Sequence, residues 1–128
     1  MKITKKLIKS YVRGKLGSDP TWASKALLKI FEFQTASEQS LETTSEANGI
    51  GFTGVDGEFL TSLAKQLKYR GKLSDKQMVY VLKKMPKYWN QILGITDYSR
   101  LFECMKAEGV IDQPAIQAYK KAKFVEIL

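Results

Sequence analysis

The chain has 128 residues, 44% of them hydrophobic and 27% charged, which is the length and balance of one globular domain with a single modest core. It contains no histidine and one cysteine, Cys104, so an internal disulfide is excluded and the usual thiolate and imidazole ligand sets of structural zinc are missing. Serine–histidine and cysteine–histidine nucleophile pairs are excluded by the same composition, and no enzymatic activity, metal or cofactor is expected.

The formal net charge of +8 is unevenly spread. Residues 1–16 carry six basic and no acidic side chains, residues 17–61 two basic and seven acidic, residues 62–95 eight basic and one acidic, and residues 96–128 five of each. Two basic segments therefore flank an acidic one, and stretches of this density point to nucleic acid or another acidic surface as partner. No apolar run approaches the roughly 20 residues that span a bilayer, and the N-terminus lacks a signal-peptide core, so a cytoplasmic protein without a membrane partner is expected.

Ile3, Leu7, Ile8 and Val12 recur at helical spacing, while Lys2, Lys5, Lys6, Lys9 and Arg13 fill the rest of the wheel. This predicts a basic amphipathic helix ending near Gly14 or Gly17. It has no aromatic anchor except Tyr11, which favours docking on the protein's own core over a membrane surface. In "SDPTWASKALLKIFEFQTASEQ", Asp19 is placed to cap a helix that starts at Pro20, where a missing N–H costs nothing. Trp22, Ala23, Ala26, Leu27, Ile30 and Phe31 form its apolar face to about Gln39, and Glu32, Glu38, Glu42 and Glu46 read as a solvated acidic stretch.

"NGIGFTGVDGEF", residues 48–59, holds four glycines in twelve positions. A phosphate cradle needs inward-pointing backbone N–H groups and a helix start behind them, and both are present in outline. No strand precedes it, however, the Walker Gly-Lys-Ser/Thr ending is absent, and Asp56 at the helix start would repel a phosphate. The expectation is a structural loop built on Asn48, Gly49, Gly51, Phe52 and Asp56, with glycines at positive φ and Phe52 pinning it to the core. Asp56 is expected to cap the helix "GEFLTSLAKQLKYR", whose Phe59, Leu60, Leu63, Ala64 and Leu67 share a face and which Gly71 ends.

Ser74 and Gln77 form a capping box for the next helix, with Leu73 and Met78 as its hydrophobic staple. Pro86 should kink or restart that helix, and "KYWNQIL" carries it to Gly94. "DYSRLFECMKAEG" and a last helix from about Asp112 or Pro114 complete the chain, with Cys104 expected on a buried face between Phe102 and Met105. No useful β alternation appears. The fold expected is all-α, a compact bundle of five to seven short helices with a glycine-rich central loop. It reads as a single domain over 1–128, made of a basic N-terminal helix (1–16), a core module (17–94) and a C-terminal helical extension (95–128).

The strongest functional signal lies between Lys65 and Trp89, where Lys65, Lys68, Arg70, Lys72, Lys76, Lys83, Lys84 and Lys87 interleave with Tyr69, Tyr80, Tyr88 and Trp89. Cations neutralise phosphates and rings hold exposed bases, so Tyr69 and Tyr88 join the lysines and Arg70 as candidate nucleic-acid contacts. Tyr80 and Trp89 fit core and surface equally well.

"DPTWASKALLKIFEFQTASEQ", "NGIGFTGVDGEFLTSLAKQ" and "GKLSDKQMVYVLKKMPKYWNQIL", in that order, resemble a small module met in phage and bacterial proteins, alone or ahead of helicases of the SNF2 type. The likeness covers about residues 16–94. It rests on Gln34-Thr35, Glu38-Gln39, Asn48-Gly49, Gly51-Phe52, Asp56, Phe59, Ser62-Leu63-Ala64, Leu73, Lys76-Gln77, Lys87-Tyr88 and Gln91. The resemblance implies an association with DNA or RNA transactions, with a helicase or other nucleic-acid enzyme as a protein partner, in a host cell cytoplasm if phage-encoded. It also implies that Asn48, Phe52 and Asp56 meet the "KYWNQIL" segment, and it supplies no catalytic residue.

The reading that follows is a nucleic-acid-binding accessory protein that docks electrostatically without catalysis. A small phage-type regulator that binds a host protein is the alternative. An enzyme acting on nucleotides through the glycine loop is the third reading, and it would depend on Asp56.

Overall fold

The computed structural model describes residues 2–41 and 51–127 and, within them, the side chains of residues 2–35 and 51–122. Among the described residues there are seven α-helices: α1 (Lys5–Ser18), α2 (Pro20–Leu41), α3 (Gly57–Arg70), α4 (Asp75–Lys84), α5 (Trp89–Gly94), α6 (Tyr98–Ala107) and α7 (Gln113–Ile127). Short 3-10 turns occupy Gly54–Asp56 and Met85–Tyr88, and no strand occurs among the described residues, so the protein is all-α.

Local chemistry sets most of the helix boundaries. The Asp19 carboxylate accepts from the backbone N–H of Thr21 at 2.9 Å and of Trp22 at 3.4 Å, which starts α2 at Pro20. Ser74 and Gln77 close a full capping box on α4, with the Gln77 N–H donating to Ser74 Oγ at 3.2 Å and the Ser74 N–H donating to Gln77 Oε1 at 2.8 Å. Asp97 and Asp112 accept backbone N–H groups at the starts of α6 and α7. Pro86 ends the regular helix, as its missing N–H requires, and the chain passes through the 3-10 turn into α5.

Gly71 closes α3 at φ +81°, with its N–H bonded to the Leu67 carbonyl at 2.9 Å. This is a left-handed cap that a Cβ would strain, and no other atom lies within 4 Å of where that Cβ would stand. Gly71→Ala is therefore expected to cost about 1 kcal/mol through backbone strain alone, read as a fall in the urea midpoint. Unchanged stability would show that the chain relaxes the cap at no cost.

The chain divides into two compact units, Val12–Gly94 and a second made of Met1–Tyr11 with Ile95–Leu128. In the first, α2 is the central element and packs against α3, α4, the 3-10 turn at 85–88 and α5. Leu16, Leu27, Ile30, Leu60, Met85 and Tyr88 are almost fully buried there. In the second, Ile3, Ile8, Leu101, Phe102, Met105 and Ile116 are buried, and the Phe102 ring lies 5.0 Å from that of Tyr119 in edge-on contact. The Tyr11 hydroxyl donates to the Glu108 carboxylate in the same unit.

Cys104 corrects the sequence expectation, since it is exposed. Leu101, Phe102 and Met105 fill an arc of about 100° on α6, and at 3.6 residues per turn Cys104 falls about 110° from its centre, beyond the buried stripe. Flanking by Phe102 and Met105 in sequence does not place a residue between them on a helix.

Candidate functional site

Helices α3 and α4 form a hairpin around the corner 71–74, and side chains stitch them together at three levels. Near the corner, Gln66 and Gln77 exchange reciprocal amide hydrogen bonds of 2.8 and 2.9 Å. Farther along, the Phe59 and Tyr80 rings meet edge-on at 4.7 Å. At the open end, Asp56 ties the start of α3 to α4 and to the 3-10 turn that follows it.

Asp56 is buried, at 6% exposure, and its carboxylate collects three donors. The Tyr80 hydroxyl donates to Oδ1 at 3.1 Å, Lys87 Nζ to Oδ2 at 3.2 Å, and Lys84 Nζ stands 3.4 Å from Oδ1. The helix cap expected of this residue does not form: its backbone is helical, at φ −80° and ψ −16°, and its side chain makes no capping bond. An aspartate that can cap locally can equally reach across the fold, and here two ammonium groups and a phenol outbid the backbone N–H groups.

Burial pushes the Asp56 carboxyl up, but the Lys87 and Tyr80 hydrogen bonds and the charge and hydrogen bond of Lys84 outweigh it and hold the group below its ordinary value of 3.8. Burial and the neighbouring carboxylate raise the Tyr80 phenol, and the hydrogen bond to Asp56 raises Lys87. A carboxylate depressed in the folded state stabilises it at every pH above the ordinary carboxylate range, and that contribution is lost as pH falls through the lowered folded value. Asp56→Asn is expected to lower the urea midpoint at pH 7 and to flatten its decline between pH 5 and 3 relative to wild type. Parallel acid limbs for the two proteins would place the stabilising charge elsewhere.

The segment 51–56 is laid onto α2 and the 85–94 stretch by its backbone. Gln91 forms a two-way amide clamp with Gly51, accepting from its N–H at 2.9 Å and donating to its carbonyl at 3.0 Å. Gln34 Oε1 accepts from the Phe52 N–H at 2.9 Å, and the Tyr88 hydroxyl accepts from the Thr53 N–H at 3.1 Å. The Phe52 ring stands edge-on to Tyr88 at 5.7 Å, so it does pin the loop. A Cβ on Gly51 would meet Gln34 Oε1 at 3.1 Å, which explains the glycine by close approach. Gly54 has the expected positive φ of +67°, but Gly51 and Gly57 do not, Gly57 standing at −57°. Asn48 and Gly49, with Glu42 and Glu46, lie outside the described residues, as does the side chain of Glu38.

The candidate contact residues separate into three groups. Lys65, Lys68, Tyr69, Arg70, Lys72, Lys76 and Lys83 are exposed, Tyr69 at 74%, and none of the six cations is in an ion pair among the described residues. On α3, Lys65 and Tyr69 follow Ser62 along one outward line, and on α4 Lys76, Val79 and Lys83 do the same. The Lys68 ammonium lies 5.7 Å over the Tyr69 ring and 5.8 Å over that of Phe31. Lys84 and Lys87 belong to the Asp56 cluster. Tyr88 is 2% exposed, so the stacking face expected of it is absent and its ring is core.

The sequence alone did not bring out Gln34, Gln91, Thr53 and Tyr80 as a bracing set. Gln34 and Gln91 stood among the residues of the family resemblance, which was the available signal, but an amide side chain by itself announces no role. Among the described residues no cluster of three acidic or cysteine side chains could hold a metal ion, and no helix is long and apolar enough to cross a membrane. No family model, curated protein or solved structure matches the chain.

Proposed function

We propose that this protein is a nucleic-acid-binding accessory that docks through the outward faces of the α3–α4 hairpin and performs no covalent step. One observation carries this reading: six exposed cations from Lys65 to Lys83 share the hairpin with the exposed Tyr69, with Asp75 the one acidic side chain in the same span. Such a surface neutralises phosphates, releases their counterions and offers a ring to an unpaired base. The buried Asp56 gives further support, because it takes up Lys84 and Lys87 and leaves the corner cations to a partner. The resemblance to a module found beside SNF2-type helicases agrees with it, and a helicase or similar enzyme would then be the natural protein partner.

The test is a fluorescence-anisotropy titration against labelled single-stranded DNA, duplex DNA and RNA at several salt concentrations. Micromolar or tighter binding with a steep fall in salt is the expected result. Absence of binding to all three at low salt would end this reading and leave the acidic surface of a host protein as the partner.

A further inference from the structure

Beside the basic line of α3 lies an open groove of about 540 Å³ lined by Gln34, Phe52, Glu58, Thr61, Ser62 and Lys65. Its chemistry is graded from end to end. Glu58 and Lys65 are seven residues apart on one helix, a rise of about 10.5 Å. Between them stand two hydroxyls, and across from these Gln34 holds the loop through its carbonyl oxygen while its amide nitrogen reaches Thr61 Oγ1 at 3.4 Å. Phe52 adds an aromatic wall, held in place by the Tyr88 contact.

We infer that this groove receives a single unstacked nucleotide of a bound strand, with its phosphate on Lys65 and its base edge directed to Glu58. The inference rests on the nucleic-acid reading and sharpens it from nucleic acid in general to a single strand. Glu58 and Lys65 leave the helix about 10.5 Å apart along its axis, a backbone spacing on the scale of one nucleotide from base edge to phosphate. The carboxylate also sets a preference. Cytosine, adenine and guanine carry exocyclic amine donors that Glu58 accepts, and thymine carries none. The groove is continuous through Lys65 with the outward line that ends in Tyr69, so the neighbouring nucleotides of the strand would run along the exposed cations and that ring.

Ser62 is exposed on α3, so Ser62→Trp fills the groove without touching the core, and Glu58→Gln removes its charge at the same size. The two variants and the wild-type chain are titrated against labelled dC12, dA12 and dT12 and against a duplex, with circular dichroism to verify the fold. Wild type is expected to bind dC12 and dA12 about tenfold more tightly than dT12, and Glu58→Gln, which keeps an acceptor oxygen but loses the charge, to narrow the difference. Ser62→Trp is expected to weaken dC12 about tenfold while leaving duplex binding unchanged. Titration of dCMP into the isotope-labelled protein should shift the amide resonances of Thr61, Ser62 and Lys65.

Salt-sensitive binding that treats dC12, dT12 and duplex alike, with Ser62→Trp as active as wild type, would overturn the groove and leave the basic surface standing. Failure of every nucleic acid to bind, with no shift from dCMP, would remove both. If Ser62→Trp does not fold, Glu58→Gln and the dCMP shifts decide the matter on the intact chain.

Discussion

Replacing Tyr88 with alanine should lower the unfolding free energy of the protein by about 3–5 kcal/mol, the loss that large aromatic truncations in a packed core produce. The ring is 2% exposed and lies in the unit organised by α2, and removing it leaves a cavity that the short 3-10 turn and α5 cannot collapse to fill. It also removes the edge-on partner of Phe52 and the acceptor of the Thr53 N–H, so the loop loses two of its anchors along with the core. Tyr88→Phe separates the terms. It keeps the ring and loses only the hydroxyl bond, so a cost of about 1 kcal/mol is expected. Urea unfolding followed by circular dichroism reads both, and an alanine variant within 1 kcal/mol of wild type would mean that the loop is not braced from below.

Gln91→Ala cuts the Gly51 clamp beside Tyr88, and because both side chains hold the same strip of backbone their effects should not add. A double variant less destabilised than the sum of the two singles would identify loop and 88–91 segment as one cooperative piece. The functional consequence lies in Phe52, which is both a wall of the groove and the ring that Tyr88 supports.

Local signals were read well because they are complete within a few residues. The Ser74 and Gln77 box, the Asp19 cap, the Gly71 stop and the Pro86 break each need only neighbours in sequence, and the structure places each where the spacing puts it. Asp56 shows where that reasoning ends. A helix-start aspartate followed by a helical run looks like a cap, yet its partners Tyr80, Lys84 and Lys87 arrive from 24 to 31 residues away and their convergence is a tertiary event. Tyr88 failed as a surface candidate for a similar reason. It directly follows Lys87 in a lysine-rich stretch, but in the 3-10 turn it is buried in the core while Lys87 pairs with Asp56. Exposure of the corner cations followed more directly, because Lys68, Arg70, Lys72 and Lys76 stand on or between two helices whose apolar faces were already plain.

The combined replacement of Lys68, Arg70, Lys72 and Lys76 by alanine should weaken single-stranded DNA binding at least a hundredfold at low salt and reduce the log–log salt slope by about three units. Each neutralised phosphate contributes about 0.7 to that slope for a single strand and about 0.9 for a duplex. These four residues are exposed and outside the core, so the fold should survive, and any change of slope reports contacts rather than unfolding. Lys84→Ala with Lys87→Ala supplies the contrast. Those two ammonium groups already pair with Asp56, and removing them leaves a buried carboxylate with Tyr80 as its remaining partner among the three donors. That variant should lose stability while keeping most of the salt slope. If instead the Lys84 and Lys87 pair carries the slope and the four corner residues do not, the strand lies across the open end of the hairpin over Asp56, and the docking surface moves there.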